Sequence, residues 1–162
     1  MKAEALFGLS VVMNFIAFGI VTGLYILPRL REMPREAALV ALVVPHTFRF
    51  VGLTFLIPGV VSPALPPAFA APAAYGDLVA AILAVVTIFA LRVRAPAAMV
   101  ITWVFNIWGA ADLVNAIYQG GIGVGVGPGS LGAAYYIPTL FVPPWLVTHG
   151  LIAWLLVRPK QA

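Results

Sequence analysis

Apolar residues run along the chain in five long stretches, at about residues 5–27, 37–61, 76–91, 96–118 and 134–157, separated by short clusters of charge, proline or glycine. No stretch alternates apolar with polar positions, as the strands of a membrane β-barrel would. Four of the five reach the roughly 20 residues that carry an α-helix across a bilayer. The pattern predicts an all-α bundle of five transmembrane helices forming one domain over residues 1–162. The third stretch is short at its front, where PPAFAAPAAYGD (residues 66–77) interrupts it, and four helices with a re-entrant segment there is the alternative reading. The first stretch is too long for a signal-peptide core, carries Glu4 beside Lys2 and leads to no A-x-A site, so it reads as a retained helix.

Composition strengthens this reading. The chain is 63% hydrophobic and 9% charged, with a mean hydropathy of +1.07, values that belong to an integral membrane protein. It has no cysteine, which excludes disulfides, iron–sulfur clusters and covalent c-type haem attachment.

The basic residues then orient the bundle. Arg29, Arg31, Arg35, Arg92, Arg94, Arg158 and Lys160 fall on one side, whereas the segments at 62–75 and 119–133 contain no Lys or Arg. The positive-inside rule places the N-terminus outside and the C-terminus in the cytoplasm, in a bacterial-type inner (plasma) membrane. The pI of about 9.9 is thus a topology signal. Anionic lipid headgroups are natural contacts for PRLREMPRE and LRVRAP, and nothing points to nucleic acid. The glycine-rich QGGIGVGVGPGSLGAA (119–134) lacks the features of a phosphate-binding loop or a dinucleotide fingerprint and reads as a flexible extracytoplasmic loop.

Candidate chemistry lies in the few polar residues at membrane depth: Asn14, His46, Arg49, Asn106, Asp112, Asn115 and His149, with Asp77 near a helix end. Such residues are costly in lipid, face the bundle interior and default to function. At about 1.5 Å per residue, His46 lies roughly 14 Å and His149 roughly 12 Å from the cytoplasmic ends of their helices. The only two histidines of the chain therefore share a level. Such a pair suits the two axial iron ligands of a non-covalent haem b, with Phe50 and Trp145 packing against the macrocycle, Asn106 orienting a ligand ring and Arg49 anchoring a propionate. Hydrogen bonding between helices would explain the histidines without a cofactor.

Asp112 competes with a propionate for Arg49, and an Arg49–Asp112 ion pair needs no cofactor. Asp77, in the expected first turn of the third helix, reads as a dipole-complementing cap. Trp108, Asp112, Asn115 and Gln119 form a polar stripe on the fourth helix. VPPWL (142–146) is expected to bend the fifth helix beside His149.

Three functions follow as expectations. The first is a small cytochrome-like haem-b membrane protein for electron transfer or redox or gas sensing, with a quinone as a further ligand. The second is a small oligomeric channel or transporter whose polar pathway uses Arg49, Asp112, Asn115 and Asn14. The third is a non-catalytic subunit of a larger membrane complex. All three place the chain in a lipid bilayer, as a homo-oligomer or beside a partner subunit, and as a carrier or binding protein more than an enzyme with its own substrate. Retinal bound as a Schiff base is excluded, because Lys2 and Lys160 are both terminal.

Overall fold

The computed structural model describes residues 1–158; Lys160, counted above with the basic tail, lies outside the described residues. The described chain is all-helical, with five helices long and apolar enough to span a membrane: α1 Ala3–Glu32, α2 Arg35–Leu56, α3 Pro67–Arg92, α4 Ala98–Gly123 and α5 Ile137–Val157. Short connections at 33–34 and 93–97 lie at the basic end of the bundle, and longer ones at 57–66 and 124–136 at the glycine-rich end.

Two boundaries differ from the sequence expectation for physical reasons. α3 begins nine residues before 76–91, at Pro67, because PPAFAAPAAYGD continues the helix instead of breaking it. Pro67 occupies the first turn, where a missing N–H costs nothing, and Pro72 removes only one backbone bond just beyond it. α2 stops at Leu56 instead of 61, because Ile57 precedes Pro58 and adopts extended backbone, after which Gly59 turns the chain at φ +86°.

The winding of α2 changes partway. Arg35–Val43 is α-helical, but the thirteen residues Val44–Leu56 wind as a 3₁₀ helix, far beyond the three or four residues usual for that form. The residues His46, Arg49, Gly52 and Phe55 are its four buried positions. In an α-helix, residues three apart drift by about 60° per step, so His46 and Phe55 would end on opposite sides. At three residues per turn they stand in one row. The tighter winding is what presents all four to the interior.

Prolines shape α1 and α5 similarly. A π turn at Thr22–Ile26 precedes Pro28, and another at Ile137–Phe141 precedes Pro143 and Pro144. Pro143 and Pro144 provide no N–H for the carbonyls of Thr139 and Leu140, the acceptors four residues earlier. Asn14 of α1 supplies the missing donor, its Nδ2 standing 2.8 Å from Thr139 O and 2.7 Å from Leu140 O. This junction fixes a helix that otherwise buries little, since no residue of Ala3–Val21 is buried.

The glycine-rich segment is more ordered than a flexible loop. Pro128–Tyr135 forms 3₁₀ turns, and Ala133 N donates to Val60 O at 2.9 Å while Ser62 N donates to Ser130 O at 3.0 Å, tying the two connections of that end together. Gly132, at φ +53°, has the Val60 carbonyl where a Cβ would sit.

Two apolar clusters fill the bundle, one toward the basic end around Leu39, Leu42, Phe105 and Ile152, the other toward the glycine-rich end around Phe55, Phe69, Leu113 and Trp145. Between them lie Arg49 of α2, Asp77 of α3, Asn106 and Asp112 of α4 and His149 of α5, joined by side-chain hydrogen bonds.

Replacing Asn14 by Leu removes both hydrogen bonds to the Thr139 and Leu140 carbonyls, each worth about 0.5–1.5 kcal/mol. The variant is expected to lower the thermal unfolding midpoint in detergent, and an unchanged midpoint would contradict the clamping role.

Candidate functional site

The site is built around a guanidinium with no solvent exposure. Arg49 extends from the 3₁₀ row of α2 into the centre of the bundle. Its Nε donates to Asp77 Oδ1 of α3 at 2.7 Å, its Nη2 to Asp112 Oδ2 of α4 at 2.6 Å and its Nη1 to the backbone oxygen of Gly109 at 2.9 Å. Nη1 also faces His149 Nε2 of α5 at 3.4 Å. Four helices thus meet on one side chain. The Trp145 ring lies beside it, with its centroid 5.5 Å from Cζ, within cation–π range.

The partners fix the histidine roles. A guanidinium can only donate, so His149 Nε2 accepts, and Nδ1–H donates to Asn106 Oδ1 at 2.8 Å. His46 Nε2 meets the Thr148 hydroxyl at 2.9 Å, and that hydroxyl also donates back to carbonyls of its own helix. His46 Nδ1 is buried with no partner among the described residues. The two imidazoles touch, with centroids 4.3 Å apart and planes inclined by 50°.

Three glycines on three helices make room for the charges. A Cβ on Gly52 would fall 2.6 Å from the Asp77 Cβ, one on Gly76 would fall 2.6 Å from the Asp112 Cγ, and one on Gly109 would fall 2.6 Å from His149 Cε1. Each glycine sits where a side chain would push one member of the cluster out of place.

Several sequence expectations change here. Asp77 is not a cap, because α3 starts at Pro67 and carries Asp77 in its interior, facing Arg49. Phe50, expected on the face of His46 to pack against a macrocycle, is 52% exposed, because residues four apart diverge by about 120° in a 3₁₀ helix. Asn14 lies apart from the cluster, at the α1–α5 junction, and Asn115 is exposed on α4. Trp108 also turns outward and is 45% exposed. His46, Arg49, Asn106, Asp112, Trp145 and His149 do come together.

The sequence reading missed Thr148 and the three glycines. The spacing of three along His46, Arg49, Gly52 and Phe55 is the signal that carried the row.

The packed residues do not fit a haem between the histidines. Bis-imidazole ligation sets the rings on opposite faces of a macrocycle, whereas these rings are in contact with each other. Three of the four ring nitrogens already face protein partners. Among the described residues, no group of three or more His, Cys, Asp or Glu side chains is placed to hold a metal ion.

Electrostatically the cluster is unequal. One guanidinium faces two carboxylates, and these are the only aspartates of the chain. Removing one partner from a buried ion pair costs about 3–5 kcal/mol, because the other charge stays buried and uncompensated. Arg49→Leu is therefore expected to lower thermal stability sharply, and adding Asp77→Asn and Asp112→Asn is expected to restore much of the loss; equal stability of the single and triple variants would contradict the pairing. Gly109→Ala is expected to destabilise by about 1–3 kcal/mol through overpacking. Gly150→Ala, with nothing within 4 Å of the added Cβ, serves as its neutral control.

No curated protein and no solved structure matches the chain. A family model described as Domain of unknown function (DUF8737) matches residues 6–157, a span that holds all the residues of the ion cluster. The chain belongs to this family.

Proposed function

We propose that the chain is a proton-translocating membrane protein in which Asp77 and Asp112 form the proton-binding pair and Arg49 their fixed counter-charge. One observation carries this reading: two buried carboxylates share a single guanidinium. With both ionised and both histidines neutral, the layer holds a net charge of −1, which an apolar surround strongly disfavours. A proton on one carboxylate restores neutrality without unpairing Arg49. Asp112 is the less enclosed member, its side chain 12% exposed against 7% for Asp77.

The arrangement favours a gated carrier over an open pore. The aspartates lie on the glycine-rich side of Arg49 and the histidines on its other side. Beyond the histidines, the cluster around Leu39, Leu42, Phe105 and Ile152 closes the basic end with apolar side chains. A proton reaching that end needs a rearrangement of the helices, and the 3₁₀ segment of α2, which carries both Arg49 and His46, is the element suited to it. In this reading the five helices span the bilayer with the N-terminus outside and the basic end in the cytoplasm, and the chain works as a homo-oligomer or beside a partner subunit.

The test uses purified protein in liposomes loaded with a pH-sensitive dye, with a potassium diffusion potential driving proton entry. Wild type is expected to acidify the lumen faster than empty liposomes, and Asp112→Asn to lose about 10²-fold or more of that rate, the scale on which a positioned proton-transfer group contributes. Folded wild type with no flux above background, or flux of Na⁺ in place of H⁺, would overturn the proposal.

The cytochrome reading is the competitor, and it requires the touching imidazoles to part around a macrocycle. Oxidised and dithionite-reduced absorption spectra of protein from haem-replete cells distinguish the two. The proton reading expects no Soret and α bands, and b-type bands lost in His46→Ala and His149→Ala would favour the cytochrome.

A further inference from the structure

The basic end of the bundle carries a feature separate from the ion cluster. A groove of about 930 Å³ opens between the start of α2, the end of α3 and the start of α4. Val40, Leu91 and Met99 give it an apolar lining, and Arg92 and Arg94 stand exposed along it. Glu36 is the one acidic residue of its lining.

The backbone at Arg94 is unusual. α3 ends in a Schellman cap, with Ala95 N donating to Ala90 O at 2.9 Å and Arg94 N to Leu91 O at 3.2 Å. Such a cap places its residue just past the helix in the left-handed region, where glycine is the default. Here the residue is Arg94, at φ +53°, the one non-glycine residue with positive φ among the described residues. A strained position kept for a charged side chain points toward a use for that side chain. α2 and α4 both begin beside the groove with no side-chain cap, so their positive dipole ends add to the field of the arginines.

We infer that this groove binds one anionic phospholipid, its phosphate between Arg92 and Arg94 and an acyl chain along Val40, Leu91 and Met99. The arginines supply charge complementarity that a neutral phospholipid would not use, and the apolar lining supplies contact that a free phosphate would not use. The inference rests on the membrane-spanning reading of the helices and is independent of proton flux.

The test is native mass spectrometry and thermal unfolding of the full chain in mild detergent, with phosphatidylglycerol, phosphatidylcholine or inorganic phosphate added. Phosphatidylglycerol is expected to stay bound and raise the unfolding midpoint, phosphatidylcholine to bind at least tenfold more weakly, and inorganic phosphate to do neither. Arg94→Gly is expected to fold with equal or higher lipid-free stability, because glycine suits the cap, yet to lose at least tenfold in phosphatidylglycerol affinity. Glu36→Gln is expected to tighten binding. Wild-type affinity in Arg94→Gly, equal binding of the two lipids, or displacement of lipid by inorganic phosphate would overturn the inference. Alkaline carbonate extraction of membranes separates these outcomes from failure of the spanning reading, since a spanning protein stays in the pellet.

Discussion

The bundle is organised around one buried guanidinium. Arg49 has no solvent exposure, yet four of its N–H groups face partners from α3, α4 and α5. A charge at this depth is tolerable only when paired and hydrogen-bonded on nearly every side. That requirement sets where α3 and α4 must place their aspartates, why a backbone carbonyl is offered at Gly109, and why three helices carry glycine at their closest approach to the cluster. Apolar clusters flank the polar layer toward both ends of the bundle.

The same requirement accounts for the long 3₁₀ segment. A regular α-helix would aim His46 and Arg49 inward but rotate Gly52 and Phe55 away from them. Winding at three residues per turn keeps the row straight, letting Gly52 make space for Asp77 while Phe55 joins the apolar cluster at the glycine-rich end. Its hydrogen bonds are poorer than those of an α-helix. The segment that carries the ion cluster is therefore also the one whose winding is easiest to change, which links the site to the motion a gated carrier needs.

Much of this was legible from the chain. The five apolar stretches match the five long helices, and equal depth brought His46, His149 and Asn106 to one level because rise per residue is nearly a constant of helix geometry. The misreadings have definite causes. Asp77 looked like a cap because Pro67 and Pro72 looked like breakers, although a proline in the first turns of a helix removes little. Phe50 was put on the face of His46 by α-helical spacing in a segment wound otherwise. Asn14 looked like part of a pathway, whereas it stands in for the donors that Pro143 and Pro144 lack. Which oxygen meets which nitrogen depended on the packing of four helices and was not encoded in any local pattern.

The central claim is that the Arg49 cluster holds a proton because its carboxylates outnumber its guanidinium. Infrared difference spectroscopy of the protein in lipid, recorded through a pH titration in H₂O and D₂O, tests it most directly. The account predicts a C=O stretching band of a protonated carboxyl group that shifts in D₂O and is lost in Asp112→Asn or Asp77→Asn. A folded wild type without such a band across the titration would mean that both carboxylates remain ionised, and would contradict it.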